Sequence, residues 1–433
     1  MTNAIKQNQV CYRTFHLDQP WSLESYEKIG GYKIWKSVVA GEIKPDFIIQ
    51  SIKDSMLMGR GGAGFPTGLK MGFVNRDKPG QKYLVCNSDE SEPGTSKDRF
   101  ILSKNPHQLI EGMAIAAYTM GATVAYNYMR GEFMHEFNQC EKALQEAKEA
   151  GLIGHHVLGS KISIQIHNLI GAGAYIVGEE TAMLESLEGK RAMPRYKPPF
   201  PANYGLYGKP TTVNNTESLA SIPVILEKGA EWFKSLGTEK SGGTKIFSVS
   251  GHVAKPGVFE LPLGTSFKDL LKLCGGIRNN RGCKAVIPGG SSMKVVPGKT
   301  MLGAEMSYEG MKAVNSAIGS GGVIVMDDCT CMVHALTCIV KFYRDESCGQ
   351  CTPCREGTGW LHEMLLDILS GKGKVEDVDR LVDVANKIEG RTICAFGEAV
   401  AWPVQSFIEH FRDEFVYFCR NGESMISGTK NGK

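Results

Sequence analysis

Apolar residues recur along this chain in three successive rhythms. Up to about residue 235, short continuous apolar runs bounded by turn residues alternate with stretches of helical period. "IKPDFIIQSIKDSMLM" reads as an amphipathic helix reaching Gly59, and "KYLVCNSDES" as a strand from Tyr83 to Cys86 that opens into an acidic turn. "NPHQLIEGMAIAAYTMGA" predicts a helix, "TVAYNYMRGE" a strand and "FMHEFNQCEKALQEAKEAGL" a second amphipathic helix. Strands alternating with helices predict an α/β sheet in a doubly wound arrangement. After the linker-like "EKSGGTK" the texture changes to short strands and turns, in "KIFSVSGHV", "GVFELPLG", "KAVIPGGSS" and "GGVIVMDD", with one helix at "SFKDLLKLCGG". That mixture predicts a small, β-grasp-like α+β module. From Cys329 onward strand signals fade, and "MVHALTCIVKFYRDE", "GWLHEMLLDILSG", "VEDVDRLVDVANKIEG" and "AVAWPVQSFIEHFRDEFVYF" carry helical periodicity, predicting a helical bundle. The expected domains are therefore 1–238, 239–328 and 329–433.

Composition narrows the classes. Of 433 residues, 42% are hydrophobic and 22% charged, as in an ordinary multi-domain globular chain, and no apolar run reaches the roughly 18 residues of a bilayer span. The net charge of +3 is small and the Lys and Arg are dispersed, so a nucleic-acid footprint is not expected. The start, "MTNAIKQNQVCYRTFHLDQ", shows neither an apolar h-region nor an Arg-rich amphipathic signal, and a reducing cytoplasmic setting is expected. In that setting thirteen cysteines read as free thiols or metal ligands rather than disulfides.

The most specific chemical signal is "ESCGQCTPCREG", where Cys348, Cys351 and Cys354 recur every third residue. Two successive C-x2-C spacings let three thiolates converge on one face of a loop, which suits three corners of a cubane iron-sulfur cluster and asks for a distant fourth ligand. Cys394 in "GRTICAFGEA", beyond one predicted helical hairpin, is the candidate. A four-cysteine zinc site is the competing reading, although structural zinc more often takes two separated pairs. Cys329, Cys331, His334 and Cys338 invite a second metal, but Cys331, Ala335 and Cys338 share a helical face and read as small buried hydrophobes. The remaining cysteines are scattered and read as structural.

Other patches are weaker singly. The glycines of "GRGGAGFPTGLK" allow backbone amides to approach a phosphate or a flat ring, with Arg60 and Lys70 as cations, but a tight structural turn explains them as well. Asn87, Asp89, Glu90, Ser91 and Glu92 crowd the end of a strand, where open α/β sheets place ligands and where solvated turns are also common. Glu179 and Glu180 open a helix, as glutamates do in many proteins, and Asn214 and Asn215 can both donate and accept.

Taken in order, "GRGGAGFPTGLK", "DESEPGT", "GAGAYIVGEETAMLESLEGKR", "KPPFPA", "TTVNNTES" and "ESCGQCTPCREG" with "TICAFGEA" resemble, over nearly the whole chain, the NADH-binding flavoprotein subunits of NADH:quinone oxidoreductase, complex I. Diaphorase subunits of NAD-linked hydrogenases and formate dehydrogenases share these motifs, and a zinc-stabilised, non-catalytic assembly subunit is the alternative of another class. The resemblance implies a Rossmann-like domain for FMN and NADH, hydride transfer from NADH to FMN with no catalytic side chain, and one 4Fe-4S cluster as electron outlet. It implies FMN contacts from Gly59, Arg60, Gly62, Lys70, Asn87, Asp89, Glu90, Ser91, Gly178, Glu179, Val213, Asn214, Asn215 and Ser218. For NADH it implies Phe65, Phe73 and Phe200 as stacking groups, with Lys70, Glu92, Glu180 and Lys197 as polar contacts, and it gives the cluster Cys348, Cys351, Cys354 and Cys394. Implied partners are a small 2Fe-2S subunit and a larger iron-sulfur subunit, with the chain held peripherally on the inner, cytoplasmic face of the membrane through the complex. Met71, Ser88, Ser96, Thr216 and Ser218 depart from the family pattern, which has Trp, Ala, Phe, Val and Thr there.

Overall fold

The structure is a computed structural model that describes residues 5–426. Its first body is a four-stranded sheet of β1 (Tyr83–Ser88), β2 (Val124–Met129), β3 (Gln165–Ile170) and β4 (Thr211–Asn215), all parallel, in the order β3-β2-β1-β4. Parallel strands must be covered on both faces. Leu84, Cys86, Ala125 and Met129 face a core shared with the helix Pro106–Met120, whose residues are all buried except Tyr118. Val85, Tyr128 and Val213 face the other way, against Met183 and Leu184 of the helix Glu180–Leu187. The sheet is thus doubly wound, as the alternation predicts. β3 has no apolar run to announce it, because Gln165, His167 and Asn168 interrupt an edge strand that stays half wet. The helix predicted to reach Gly59 ends at Asp54, followed by a turn in which Met56 has φ +56°.

The second body holds β5 (Thr244–Gly251), β6 (Gly257–Pro262), β7 (Thr265–Ser266), β8 (Cys283–Ile287), β9 (Val296–Pro297), β10 (Glu305–Met306) and β11 (Gly322–Asp327). Five of them form a mixed sheet in the order β6-β5-β11-β8-β9, with Phe267 and Leu270 of the helix Phe267–Leu273 in its core; β7 pairs with β10. The first two bodies are strapped together. The backbone N–H groups of Val10, Cys11 and Tyr12 donate to the buried Glu260 carboxylate of β6 at 2.9, 3.0 and 2.8 Å.

Four helices follow: Met332–Glu346, Thr352–Leu369, Val375–Ile388 and Phe396–Asn421. They close on a core that includes Leu336, Val340, Leu361, Leu365, Leu381, Val400 and Phe407. Two expectations change here. The second helix starts at Thr352, so the cysteine array is not all loop: Cys351 is its N-cap and Cys354 lies in its first turn, with proline at the helix start where its missing N–H is harmless. Cys338 is exposed on the first helix, while Cys331 is buried at its N-cap and Ala335 is half-buried, so the shared apolar face does not extend to Cys338.

Candidate functional site

In an open parallel sheet the ligand crevice forms where neighbouring strands feed connections to opposite sides, beyond their C-terminal ends. Here that point lies between β1 and β4, whose Asn87 and Asn215 are directly paired in register. A cleft opens there as two adjoining cavities of about 540 and 600 Å³ that share Gly61, Ala63, Asn87, Gly178, Glu179, Asn215, Cys394, Ala395 and Glu398. The glycine loop is one wall. Its ends are tied by Gly59 N–H donating to Phe65 C=O at 2.9 Å, and Gly64, at φ +64°, leaves no room for a Cβ, which would stand 2.7 Å from the Tyr308 ring.

The polar lining is oriented by the strand ends. Asn87 Nδ2 donates to Gly178 C=O at 2.8 Å, and Asn215 Nδ2 donates to Asp98 Oδ2 at 2.7 Å. Glu179 caps the helix Glu180–Leu187 by accepting from Thr181 and Ala182 N–H at 2.8 and 2.9 Å. Glu90 does the same in trans for the helix Asp98–Lys104, accepting from Lys97, Asp98 and Arg99 N–H at 2.8, 2.9 and 3.2 Å. Two lining atoms, Asp89 Oδ2 and Asn214 Nδ2, are buried with no hydrogen-bond partner in the protein. An unpartnered buried acceptor and donor call for a ligand that supplies both partners. Isoalloxazine and ribityl groups offer both, so the cleft fits a flavin nucleotide.

Charge is divided by depth. At the mouth, Lys70 Nζ bridges Glu180 at 2.8 Å, and Lys197 Nζ bridges Glu180 at 3.0 Å and Glu179 at 2.9 Å. Burial pushes the Glu180 carboxyl up, but Lys70 and Lys197 outweigh it and hold it below the usual carboxylate range. Deeper, burial wins: it raises Asp89 to about 7 against the pull of Arg130, and it also raises Glu92, whose carboxylate accepts from Tyr175 Oη at 2.6 Å and Ser292 N–H at 2.8 Å.

Tyr175 also connects the cleft to the cysteines. Its N–H donates to the Glu346 carboxylate at 2.9 Å, two residues before Cys348, and its ring packs with Phe342, Tyr343 and Phe396 at centroid distances of 5.2, 5.9 and 5.8 Å. Cys348 and Cys351 act electrostatically on the Cys354 thiol, and Cys348 and Cys354 on the Cys394 thiol. Burial, the largest cause, raises Cys354 to about 11 and Cys394 to about 12. The four are neighbours without forming a chelate: among the described residues no three His, Cys, Asp or Glu side chains close around a single ion. A quartet of soft donors, Cys354 buried and the other three half-buried, suits an iron-sulfur centre, which is larger than one ion.

Of the residues nominated from sequence, most line the cleft: Gly59, Gly62, Phe65, Lys70, Asn87, Asp89, Glu90, Ser91, Glu92, Gly178, Glu179, Glu180, Lys197, Val213, Asn214, Asn215 and Ser218. Three do not. The Arg60 guanidinium is buried behind the glycine loop, donating to the carbonyls of Met58 and Gly242 at 3.0 and 2.9 Å, and only its backbone N–H turns to Ser218 Oγ, at 2.9 Å. Phe73 and Phe200 are exposed outside the cavities, Phe73 tilted against Phe65 at 5.9 Å. Sequence reasoning does not nominate Lys97, Asp98, Tyr175, Ser292, Ser320, Phe396 and Trp402, which line the deep cavity from all three bodies. Two departures from the family pattern explain each other, since the Ser88 and Thr216 hydroxyls lie 2.7 Å apart in a hydrogen bond.

Comparison with known proteins agrees with this layout. Residues 52–224 match the family described as the Nuo51 FMN-binding domain, residues 246–296 the SLBB domain, and residues 334–417 the NADH-ubiquinone oxidoreductase-F iron-sulfur binding region. The chain is 48% identical over 412 residues to the F-type subunit of the NADH-quinone oxidoreductase of Rickettsia bellii, covering 95% of this chain and 98% of that one. The Rickettsia felis protein of the same name is also 48% identical, over 424 residues, covering 98% and 100%. A crystal structure of an NAD+-reducing NiFe hydrogenase in its H2-reduced state superposes with a TM-score of 0.80 at 36% identity over 88% of this chain, which spans only 64% of that chain's length.

Proposed function

This chain belongs to the family of F-type subunits of NADH-quinone oxidoreductase, and on that premise we propose how its residues divide the work: the cleft at the switch point holds FMN with NADH beside it, and Cys348, Cys351, Cys354 and Cys394 hold the 4Fe-4S cluster. The chain is an NADH dehydrogenase subunit of complex I, an oxidoreductase with FMN and an iron-sulfur centre as cofactors. The observation that carries the assignment of sites is Cys394. It lies in the wall of both cavities and is also the thiol that completes the cysteine group, so hydride acceptor and electron outlet share a wall.

A bound FMN would supply the chemistry of accepting a hydride and passing its two electrons on singly. The protein's part is positioning, because hydride transfer needs aligned donor and acceptor rather than an acid or base. Asn87, Asn214 and Asn215 offer amide groups along the strand ends, Asp89 offers its unpartnered oxygen, and Gly61 and Gly178 let the backbone come close. Lys70 and Lys197 must give up part of their pairing with Glu180 to meet a dinucleotide. Tyr175, Phe396 and Trp402 give the deep cavity an aromatic wall that keeps water from the reacting face.

The same proposal places a small 2Fe-2S subunit against this chain and a larger iron-sulfur subunit as its electron acceptor, within a complex that holds it at the inner membrane face. The chain shows no helix long and apolar enough to cross a membrane among its described residues. A second reading, a diaphorase serving a hydrogenase, is favoured by the hydrogenase superposition alone and is separated by identifying the subunits that co-purify.

Protein purified without oxygen is expected to show a flavin absorbance that NADH bleaches and an EPR signal from a reduced cluster; stoichiometric zinc with no flavin would overturn the proposal. Cys394→Ser should lose the cluster while keeping FMN and NADH-ferricyanide activity. An intact four-cysteine cluster in that variant would show that another thiol is the fourth ligand.

A further inference from the structure

Beneath the glycine loop lies a charge cluster that hydride alignment does not use. The buried Glu217 carboxylate has Lys97 Nζ at 2.8 Å, Lys245 Nζ at 3.7 Å and Arg60 Nε at 3.9 Å, and Lys97 also bridges Asp98 at 2.7 Å. Three cations face two carboxylates. The deep cavity above them has the opposite balance: Asp89, Glu90, Glu92, Asp98, Glu179 and Glu398 are in its lining, and Lys97 is the one Lys or Arg there among the described residues. Negative charge delivered with a hydride into such a cavity is repelled at low dielectric unless positive charge stands close by.

Lys245 is the cation of the three whose charge is least cancelled. Lys97 is tied to two carboxylates, and the Arg60 guanidinium is spread over two carbonyls and the Tyr308 hydroxyl. Lys245 reaches across from β5, in the second body, to the carbonyls of Ser320 and Arg60 at 3.0 and 3.4 Å, immediately behind cleft residues Ser320 and Gly61. We propose that Lys245 is a positioning residue of the redox site: with Lys97, and against the opposing charge of Glu217, it holds positive charge under the glycine loop and makes the flavin in the cleft easier to reduce. This rests on the reading that the cleft holds a flavin, and it gives the second body a part in the chemistry. Burial pushes the Lys245 ammonium down to about 7, with Lys97 and Arg60 adding to it and Glu217 and Asp98 opposing, so its charge responds to what enters above.

The test uses the assembled holoenzyme and an optical redox titration of its flavin. In Lys245→Met, flavin content should stay as in the wild type while the flavin becomes harder to reduce: at a fixed NADH to NAD+ ratio the oxidised-to-reduced ratio rises about tenfold, equivalent to about 30 mV for two electrons. Glu217→Gln, which removes a negative charge instead, should shift the ratio the other way, and the double variant should return it towards the wild-type value. An unmoved ratio in a flavin-replete Lys245→Met enzyme overturns the proposal, as does a loss of flavin affinity with the potential of the remaining flavin unchanged. Should Lys245→Met not assemble, the sign of the Glu217→Gln shift decides alone. A wild-type enzyme without flavin overturns the underlying reading instead.

Discussion

Two sets of lysine–glutamate pairs bracket the cleft, and they differ in what surrounds them rather than in what they are. At the mouth, Lys70 and Lys197 retain 32% and 31% side-chain exposure while they bridge Glu180. Under the glycine loop, Lys97, Lys245 and Glu217 retain between 0% and 2%. Water screens the first set, so each pair contributes about 0–1 kcal/mol and its partners can be exchanged for those of a ligand. The second set has no water to fall back on, and removing one member strands the others as buried, uncompensated charges. One chemistry thus gives an adaptable mouth and a fixed floor, which is the division a dinucleotide site needs if substrate is to come and go over a resident cofactor.

The sharpest way to break this contrast is Glu217→Gln. The variant leaves Lys97 with Asp98 and the Asn215 amide oxygen, and Lys245 with backbone carbonyls, and should lose about 3–5 kcal/mol of stability in denaturant unfolding. A loss under about 1 kcal/mol would make the floor no different from an exposed pair.

A second test lies in the wall between floor and mouth, where Asp89 is buried without a cation of its own to bridge it. Its folded-state pKa is raised to about 7, so between roughly pH 4 and 7 the folded chain keeps a proton that the unfolded chain has lost. Stability must then fall as pH rises through that window, by up to about 1.4 kcal/mol per pH unit for one proton. In Asp89→Asn the fall between pH 5 and 7 should be shallower by that one-proton slope, read from unfolding of the flavin-free chain; an unchanged slope would mean that Asp89 is ionised throughout.

How much of this arrangement the sequence discloses depends on how local each signal is. The cysteine grouping is legible because three thiols lie within seven residues, and Cys394 comes near them across one helical hairpin. The parallel sheet is legible through β1 and β2, whose apolar runs are buried on both faces, but not through β3, an edge strand with Gln165, His167 and Asn168 in its six residues. Arg60 is expected in the cleft because it stands in the glycine loop; its neighbours Gly59 and Gly61 do line it, while its side chain turns inward to Met58, Gly242 and Glu217. Spacing cannot tell which way a side chain leaves a loop. Lys245 is the converse: nothing near it in "GGTKIFSVSG" marks it, and its relevance arises only because β5 lies behind a loop more than 180 residues earlier in the chain.

The smallest expected effect is the most direct test of the mouth. In Lys70→Ala, Lys197 still pairs with Glu180 at 3.0 Å, so folding stability should change by less than about 1 kcal/mol. The dinucleotide loses one cationic contact, and its KM should rise about tenfold, equivalent to about 1.4 kcal/mol, with kcat unchanged because the contact is the same before and during hydride transfer. The sign of the pH response also follows. The Glu180 carboxyl is held below its unfolded value, so its pairing stabilises the fold above the ordinary carboxylate pKa and is lost as pH falls through the depressed value. Neutral-range stability should therefore be flat in pH at the mouth, and removing Lys70 should move that loss to higher pH, because burial is then opposed by Lys197 alone. A Lys70→Ala enzyme destabilised as severely as Glu217→Gln would show that the mouth is as rigid as the floor, and that NADH enters by some route other than exchange with these pairs.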